Sequence, residues 1–224
     1  MLNLPETPAQ MGMFQRIFGV TPIRYLSQSN LLGPHLTLCH CLFFDEAEQR
    51  QLEKTGTRMI YSIPLVGDDG PSLSFWKRPS TKFKLAIGTG YQSGDMLHIL
   101  KEIESRENFY SGAHDQVIAS DLFYAATVGG AKALGREDVG RIVEGHRADI
   151  LVLNTRRSHF RPLTFPLASI IDHGSLSDIE TVISGGKIVK HEGRLIHSEG
   201  MTASEQAEQA VWKSWSHCRK HGIL

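Results

Sequence analysis

Three short, nearly unbroken apolar runs restrict the fold of this chain more than anything else in it: LTLCHC at Leu36–Cys41, TRMIYSIP at Thr57–Pro64 and FKLAIGTG at Phe83–Gly90. Each is strand-length and is set off by turn residues such as Gly33-Pro34 and Pro64, so each reads as a strand buried on both faces. Between the first two lies DEAEQRQLEKTG, with acid at its start, helix formers within and Gly56 at its end, which carries the start and stop signals of a helix. Strand, helix, strand with few polar breaks implies parallel pairing through crossovers. Parallel sheets covered on both faces belong to α/β barrels and doubly wound folds. Asp95–Arg106 then reads as helical, and Ser120–Leu134 as a stronger amphipathic helix stopped at Gly135, with Gly129-Gly130 inside it marking close packing.

The texture changes after Gly140. VGRIVEGHRADILVLN is turn-rich and runs into a strand at Asp149–Asn154, and IETVISGGKIVKHEGRLI spells an antiparallel hairpin around Gly185-Gly186. A last helix from about Thr202 to Lys220 carries Ala207, Val211 and Trp215 at four-residue spacing, an apolar face that must pack on something. The chain therefore divides into an α/β part at 1–139, a small β part at 140–200 and a C-terminal helix at 201–224.

Composition excludes several classes of function. Lys plus Arg and Asp plus Glu are 24 each, so the net charge is zero, without the basic footprint of a duplex nucleic-acid or acidic-membrane binder. Hydrophobic residues are 41% and charged residues 21%, too apolar for a disordered chain. No apolar stretch approaches the roughly 20 residues that span a bilayer, and MLNLPETPAQ lacks the basic-then-apolar order of a secretory signal. Three cysteines, Cys39, Cys41 and Cys218, make an odd and sparse set, which predicts a reducing, cytoplasmic setting.

The segment spelled by Gly140, Ile142, Gly145, Ala148, Asp149, Ile150 and Leu153 resembles the point at which chains of the amidohydrolase superfamily leave their barrel for a small β-sandwich. TVISGGKIVKHEGRLI resembles the hairpin that ends those chains, LLGPHLTLCHCLFFDEAE the strand that delivers a metal-binding histidine, and ATVGGAKALG the helix before the sandwich. The resemblance covers most of residues 3–200 and is nearest to the cytosine-deaminase-like, chlorohydrolase and methylthioadenosine/adenosylhomocysteine-deaminase-like enzymes. It implies the second half of a (β/α)8 barrel at 1–139, since a closed barrel takes about 250 residues, followed by the sandwich portion at 140–200 and the terminal helix. The first half, with its His-x-His pair, has no counterpart, and no His-x-His occurs in the chain.

The family chemistry is metal-assisted hydrolysis of non-peptide C–N or C–Cl bonds: a divalent ion, Zn or Fe, lowers the pKa of a bound water, and an aspartate shuttles its proton. Position by position, the resemblance makes His40 the third metal histidine and Glu6 a substrate-facing carboxylate, although a place so near the chain end favours fraying. It puts Asn3 where a histidine is expected in the His-x-x-Glu-Thr segment, Ser62 where the histidine before Pro64 is expected, and Gly90 where Gly-Thr-Asp supplies the proton-shuttling aspartate. Loss of a general acid/base costs about 10²–10⁴ in rate. A substitute site from Asp95, His98 and His40 competes with a plain solvated helix start, where Asp95 favours the positive end of the helix dipole. Asp68-Asp69-Gly70 reads as a turn, and Cys39-x-Cys41 as two thiols on the face opposite His40. The expectation is a family member inactive alone, whose open barrel edge requires self-association or a partner chain. The alternative is an active hydrolase of a small-molecule substrate, completed by a partner that supplies the first barrel half.

Overall fold

The computed structural model describes residues 1–40, 43–62, 85–90, 94–111, 117–196 and 199–220, the side chains of 109–111 and 199–204 excepted. It divides into two units, Met1–Arg147 with Thr155–Leu176, and Ala148–Asn154 with Ser177–Leu224. Segment 155–176, inside the range expected of the small β part, thus folds with the first unit.

The first unit is built on a four-stranded parallel sheet in the order β1 (Leu2–Asn3), β2 (Thr37–Cys39), β3 (Arg58–Tyr61), β4 (Leu85–Ile87). Its spatial order is its chain order, so every crossover steps the same way, which is the winding of an α/β barrel; a doubly wound sheet reverses direction at a switch point. Two helices precede β2: α1 (Pro8–Phe18) and α2 (Pro22–Gln28). Then follow α3 (Glu46–Thr55) and α4 (Met96–Ser111), α5 (Ala119–Tyr124), a π-helical turn at Ala125–Gly129, and α6 (Gly130–Ala133). Farther on, α7 (Pro166–His173) buries Ile171 in the same core.

Pairing fixes the two faces of the sheet. Leu38, Met59 and Leu85 lie side by side and, with Tyr61 and Ile87, pack on Leu52 of α3, Ile99 and Ile103 of α4 and Leu122 of α5. Asn3, Cys39, Ile60 and Ala86 line the opposite face, where Asn3 is exposed and Ile60 half-buried. The strands are shorter than the runs that announced them, but the pairing is parallel as expected.

Local sequence explains the helix ends. Asp45 caps α3, its carboxylate accepting from Glu48 N at 2.8 Å while Glu48 returns a bond to Asp45 N at 3.0 Å, and Gly56 closes the helix at φ +70°. Arg24 of α2 reaches Asp45 at 2.8 Å, and Thr21 donates to the buried Glu48, so α2 and α3 share one polar seam. The single helix expected over Ser120–Leu134 is broken by the π turn. That turn coincides with a tight helix–sheet approach: a methyl group on Gly129 would collide with the Leu85 carbonyl oxygen.

The second unit holds a four-stranded antiparallel sheet, β5 (Ile150–Leu153), β6 (Ile179–Ser184), β7 (Lys187–His191) and β8 (Arg194–Leu195), in chain order. The β6–β7 hairpin turns at Gly185-Gly186, both at positive φ, as the sequence predicts. Asp149 accepts from Gly185 N at 2.6 Å, tying the turn to the start of β5. Among the described residues this unit has one sheet, where a small sandwich was expected. The terminal helix, α8 (Glu199–Lys220), departs from expectation: of residues 205–220 none is buried and only Cys218 is half-buried, so the Trp and Ala face is open to solvent. No described helix is long and apolar enough to cross a membrane.

Candidate active site at the strand ends

The C-terminal ends of parallel strands collect polar side chains because the last backbone groups there leave the ladder and the chain turns away. Here Glu6 follows β1, His40 follows β2, Ser62 follows β3, and Gly88-Thr89-Gly90 follows β4. Leu4 N donates to Cys39 O at 3.0 Å, which carries the β1–β2 pairing up to Glu6 and His40.

His40 is 4% exposed and has φ +55°, a left-handed backbone that a histidine adopts rarely. Strict alternation would separate it from Cys39, which the pairing sets on the face of Ile60 and Ala86. The left-handed residue breaks that alternation. A Cβ built on Gly90 lies 3.9 Å from His40 Cε1, 3.4 Å from Ser62 Cβ and 3.8 Å from Ser62 Oγ, so the three positions meet. Gly88 stands in the same group, its Cβ position 3.3 Å from Ser62 Oγ. The two thiols of Cys39-x-Cys41 are thus not a set opposed to His40: Cys39 shares its face, and Cys41 lies outside the described residues. Burial raises the Cys39 thiol pKa, opposed in part by the chain's amino terminus, which keeps it a thiol rather than a nucleophilic thiolate.

Glu6 joins this group. Its Oε1 is 3.5 Å from His40 Nε2, and the side chain is 17% exposed. It is not frayed, because Thr7 and Gln10 form a capping box at the start of α1 and Gln10 Oε1 also accepts from Glu6 N at 2.8 Å. Asn3 lies one strand-end away, exposed and paired with Cys39. Glu6 and Asn3 also line a cleft of about 520 Å³ beside β1, whose other walls include Leu4, Phe14, Tyr25 and Leu26.

Asp95 and His98 do not join His40. Asp95 Oδ1 accepts from His98 N at 3.1 Å at the start of α4, and His98 Nε2 faces Glu102 at 3.4 Å along the same helix. Asp95 therefore stands at a plain helix start, where its carboxylate also caps the helix. Asp68-Asp69-Gly70 and Pro64 lie outside the described residues.

A catalytic metal takes about three protein ligands. Among the described residues no three His, Cys, Asp or Glu side chains converge, and the imidazole nitrogen of His40 that points into the group faces a carboxylate. Ser62, Gly90 and Asn3 add hydroxyl, hydrogen and amide where further ligands or a proton shuttle would stand. The described residues do not fit a metal centre. What they make is a buried imidazole facing a carboxylate, with Ser62 and Gly90 packed beside it, a set whose polar atoms can hydrogen-bond a small polar group.

Comparison with known proteins gives this geometry its lineage. The model of the amidohydrolase family matches residues 9–189. The chain belongs to the amidohydrolase family. A 5-methylthioadenosine/S-adenosylhomocysteine deaminase of Pyrococcus abyssi is 30% identical over 210 residues, covering 92% of this chain and 48% of that enzyme. A 5'-deoxyadenosine deaminase of Methanothermobacter thermautotrophicus is 30% identical over 218 residues, 94% of this chain and 50% of its own. Among solved structures, an adenosine deaminase of Xanthomonas campestris with bound zinc superposes with a TM-score of 0.83 at 24% identity, over 93% of this chain and 49% of that one. A zinc complex of atrazine chlorohydrolase from Arthrobacter aurescens gives 0.78 at 21%, over 92% and 47%. This amidohydrolase-family chain thus spans about half the length of the relatives it matches.

The sequence missed β1, α1 and α2. Thr7-Pro8-Ala9-Gln10, a capping residue with proline at the first helical position and glutamine at the third, was the available signal for α1. Nothing in the sequence announced the left-handed backbone of His40.

Proposed function

We propose that this chain is an amidohydrolase-family scaffold whose reaction centre has been reduced, and that it does not hydrolyse or deaminate by itself. The observation that carries this reading is the meeting of Gly90, Ser62 and His40. Gly90 and Ser62 stand where the family resemblance calls for an aspartate and a histidine, and His40 Nε2 is turned to Glu6. The first unit is read as part of a (β/α)8 barrel, with β1 as an edge strand. Beside that edge, α1 buries no residue and exposes Met13, Ile17 and Phe18. An edge strand next to an apolar helix face is a site for pairing with more polypeptide. We read it as covered by self-association or by a chain supplying the βα units that the relatives possess and this sequence does not match. The sparse cysteines support a reducing, cytoplasmic setting.

A second reading is favoured by Glu6 and His40, which stand at adjacent strand ends as an active family member would need. In it a partner supplies the His-x-His pair, His40 becomes a divalent-metal ligand and Glu6 faces substrate, and the assembly hydrolyses a C–N or C–Cl bond of an aminopurine-like small molecule.

Metal analysis of the purified protein, alone and with any co-purifying chain, together with ammonia release from 5'-methylthioadenosine and adenosine, separates the two. Metal-free protein without ammonia release, unchanged by His40→Ala, supports the scaffold. Near-stoichiometric zinc, iron or manganese that is lost in His40→Ala, with turnover, overturns it in favour of the second reading.

A further inference from the structure

We propose that α8 is a self-recognition element, pairing antiparallel with α8 of a second copy of this chain. The helix runs for 22 residues, about 33 Å, yet no described side chain between 205 and 220 is buried. Helices in water draw most of their stability from packing an apolar face, and one lying free is marginal.

The occupant is identified by the pattern of α8 itself. Ala207, Val211, Ser214 and Cys218 follow at steps of four, three and four, the seam of a two-helix coil. Trp212 (64% exposed) and Trp215 (51% exposed) widen that seam on one flank. The same flank carries Glu205 and Glu208 toward one end and Arg219 toward the other, with the tryptophans between. Two helices related by a two-fold axis and running antiparallel bring like flanks together. Each Glu205–Glu208 pair then meets the partner's Arg219, the two Trp pairs cover the centre, and Val211 sits against the partner's Ser214. A parallel pair would bring unlike flanks together and leave Glu205, Glu208 and Arg219 without the partner's opposite charges. The helix dipoles also cancel in the antiparallel arrangement. Charge order along the helix therefore selects both the partner and its direction.

Sedimentation and light scattering of the full chain test this. The wild type is expected at twice 25.0 kDa, and Val211→Asp or the double change Trp212→Ala/Trp215→Ala is expected to raise the dimer dissociation constant by about tenfold or more. Because these side chains are exposed, circular dichroism of the sheet region should be unchanged. The direction is read from charge exchange. Arg219→Glu alone and Glu205→Arg/Glu208→Arg alone each weaken the dimer, whereas an equimolar mixture of the two variants forms a mixed dimer tighter than either. A wild-type monomer, a dimer indifferent to the Val211 and Trp changes, or a mixture that fails to recover the dimer overturns the proposal. None of these readouts depends on metal content or turnover, so this proposal and the scaffold reading fail separately.

Discussion

The carboxylate of Glu6 and the imidazole of His40 face each other across the ends of two neighbouring strands, Oε1 to Nε2 at 3.5 Å. Both are largely withdrawn from water, unlike the partners of a surface ion pair, which contributes little. The Glu6–His40 contact fastens the end of a two-residue edge strand to the sheet. Glu6→Ala is expected to lower the urea unfolding midpoint by the equivalent of about 1–2 kcal/mol, the usual cost of removing one polar contact of a buried group. Glu6→Gln is expected to lose less, since an amide oxygen still accepts. Glu46→Ala, at a pair with Arg50 that is mostly solvent-exposed, serves as the control and should shift little.

The left-handed backbone of His40 makes a second expectation. At φ +55° a β-branched side chain is strained by about 1–2 kcal/mol relative to residues that tolerate this region. His40→Val is therefore expected to be less stable than His40→Asn by about that margin, measured by thermal or urea unfolding. Equal stabilities would mean that the side chain, and not the backbone, dominates at this position.

Gly129 tests the helix–sheet contact. With the Leu85 carbonyl oxygen in the place a methyl group needs, and backbone unable to swing aside as a flexible side chain does, Gly129→Ala is expected to cost about 1–3 kcal/mol. Gly12→Ala, whose Cβ would meet open space, is expected to be neutral or slightly stabilising.

A pH dependence follows from Glu104. Burial, and then the neighbouring carboxylate of Asp172, push its pKa from 4.5 up to about 6. A raised acid favours folding in its protonated form, so this contribution is fully present below about 4.5 and is lost as pH rises through about 6. Glu104→Gln is expected to match wild-type stability at pH 4 and to exceed it above pH 7. The gain should stay below about 1 kcal/mol because the side chain is partly open to solvent. The reverse order at pH 7 would place Glu104 in a favourable ion pair instead.

The parallel sheet was legible because Leu38, Met59 and Leu85 sit in runs too apolar for a surface strand, and the ends of α3 because Asp45 and Gly56 are capping residues of familiar type. The meeting of Ser62, Gly90 and His40 was legible only as positions brought together by a resemblance, since their contact spans three strands. β1 escaped notice because two residues carry no periodicity. The π turn escaped because its cause, the Leu85 carbonyl, lies far away in sequence. The openness of α8 was equally invisible: an amphipathic stripe says that a helix wants a partner, not where the partner is.

The residues that hold the fold, Leu38, Met59, Leu85 and their helical neighbours, are separate from those at the strand ends that would do chemistry. Substitutions at the strand ends can therefore alter what the molecule binds while the packed sheet and helices keep their shape.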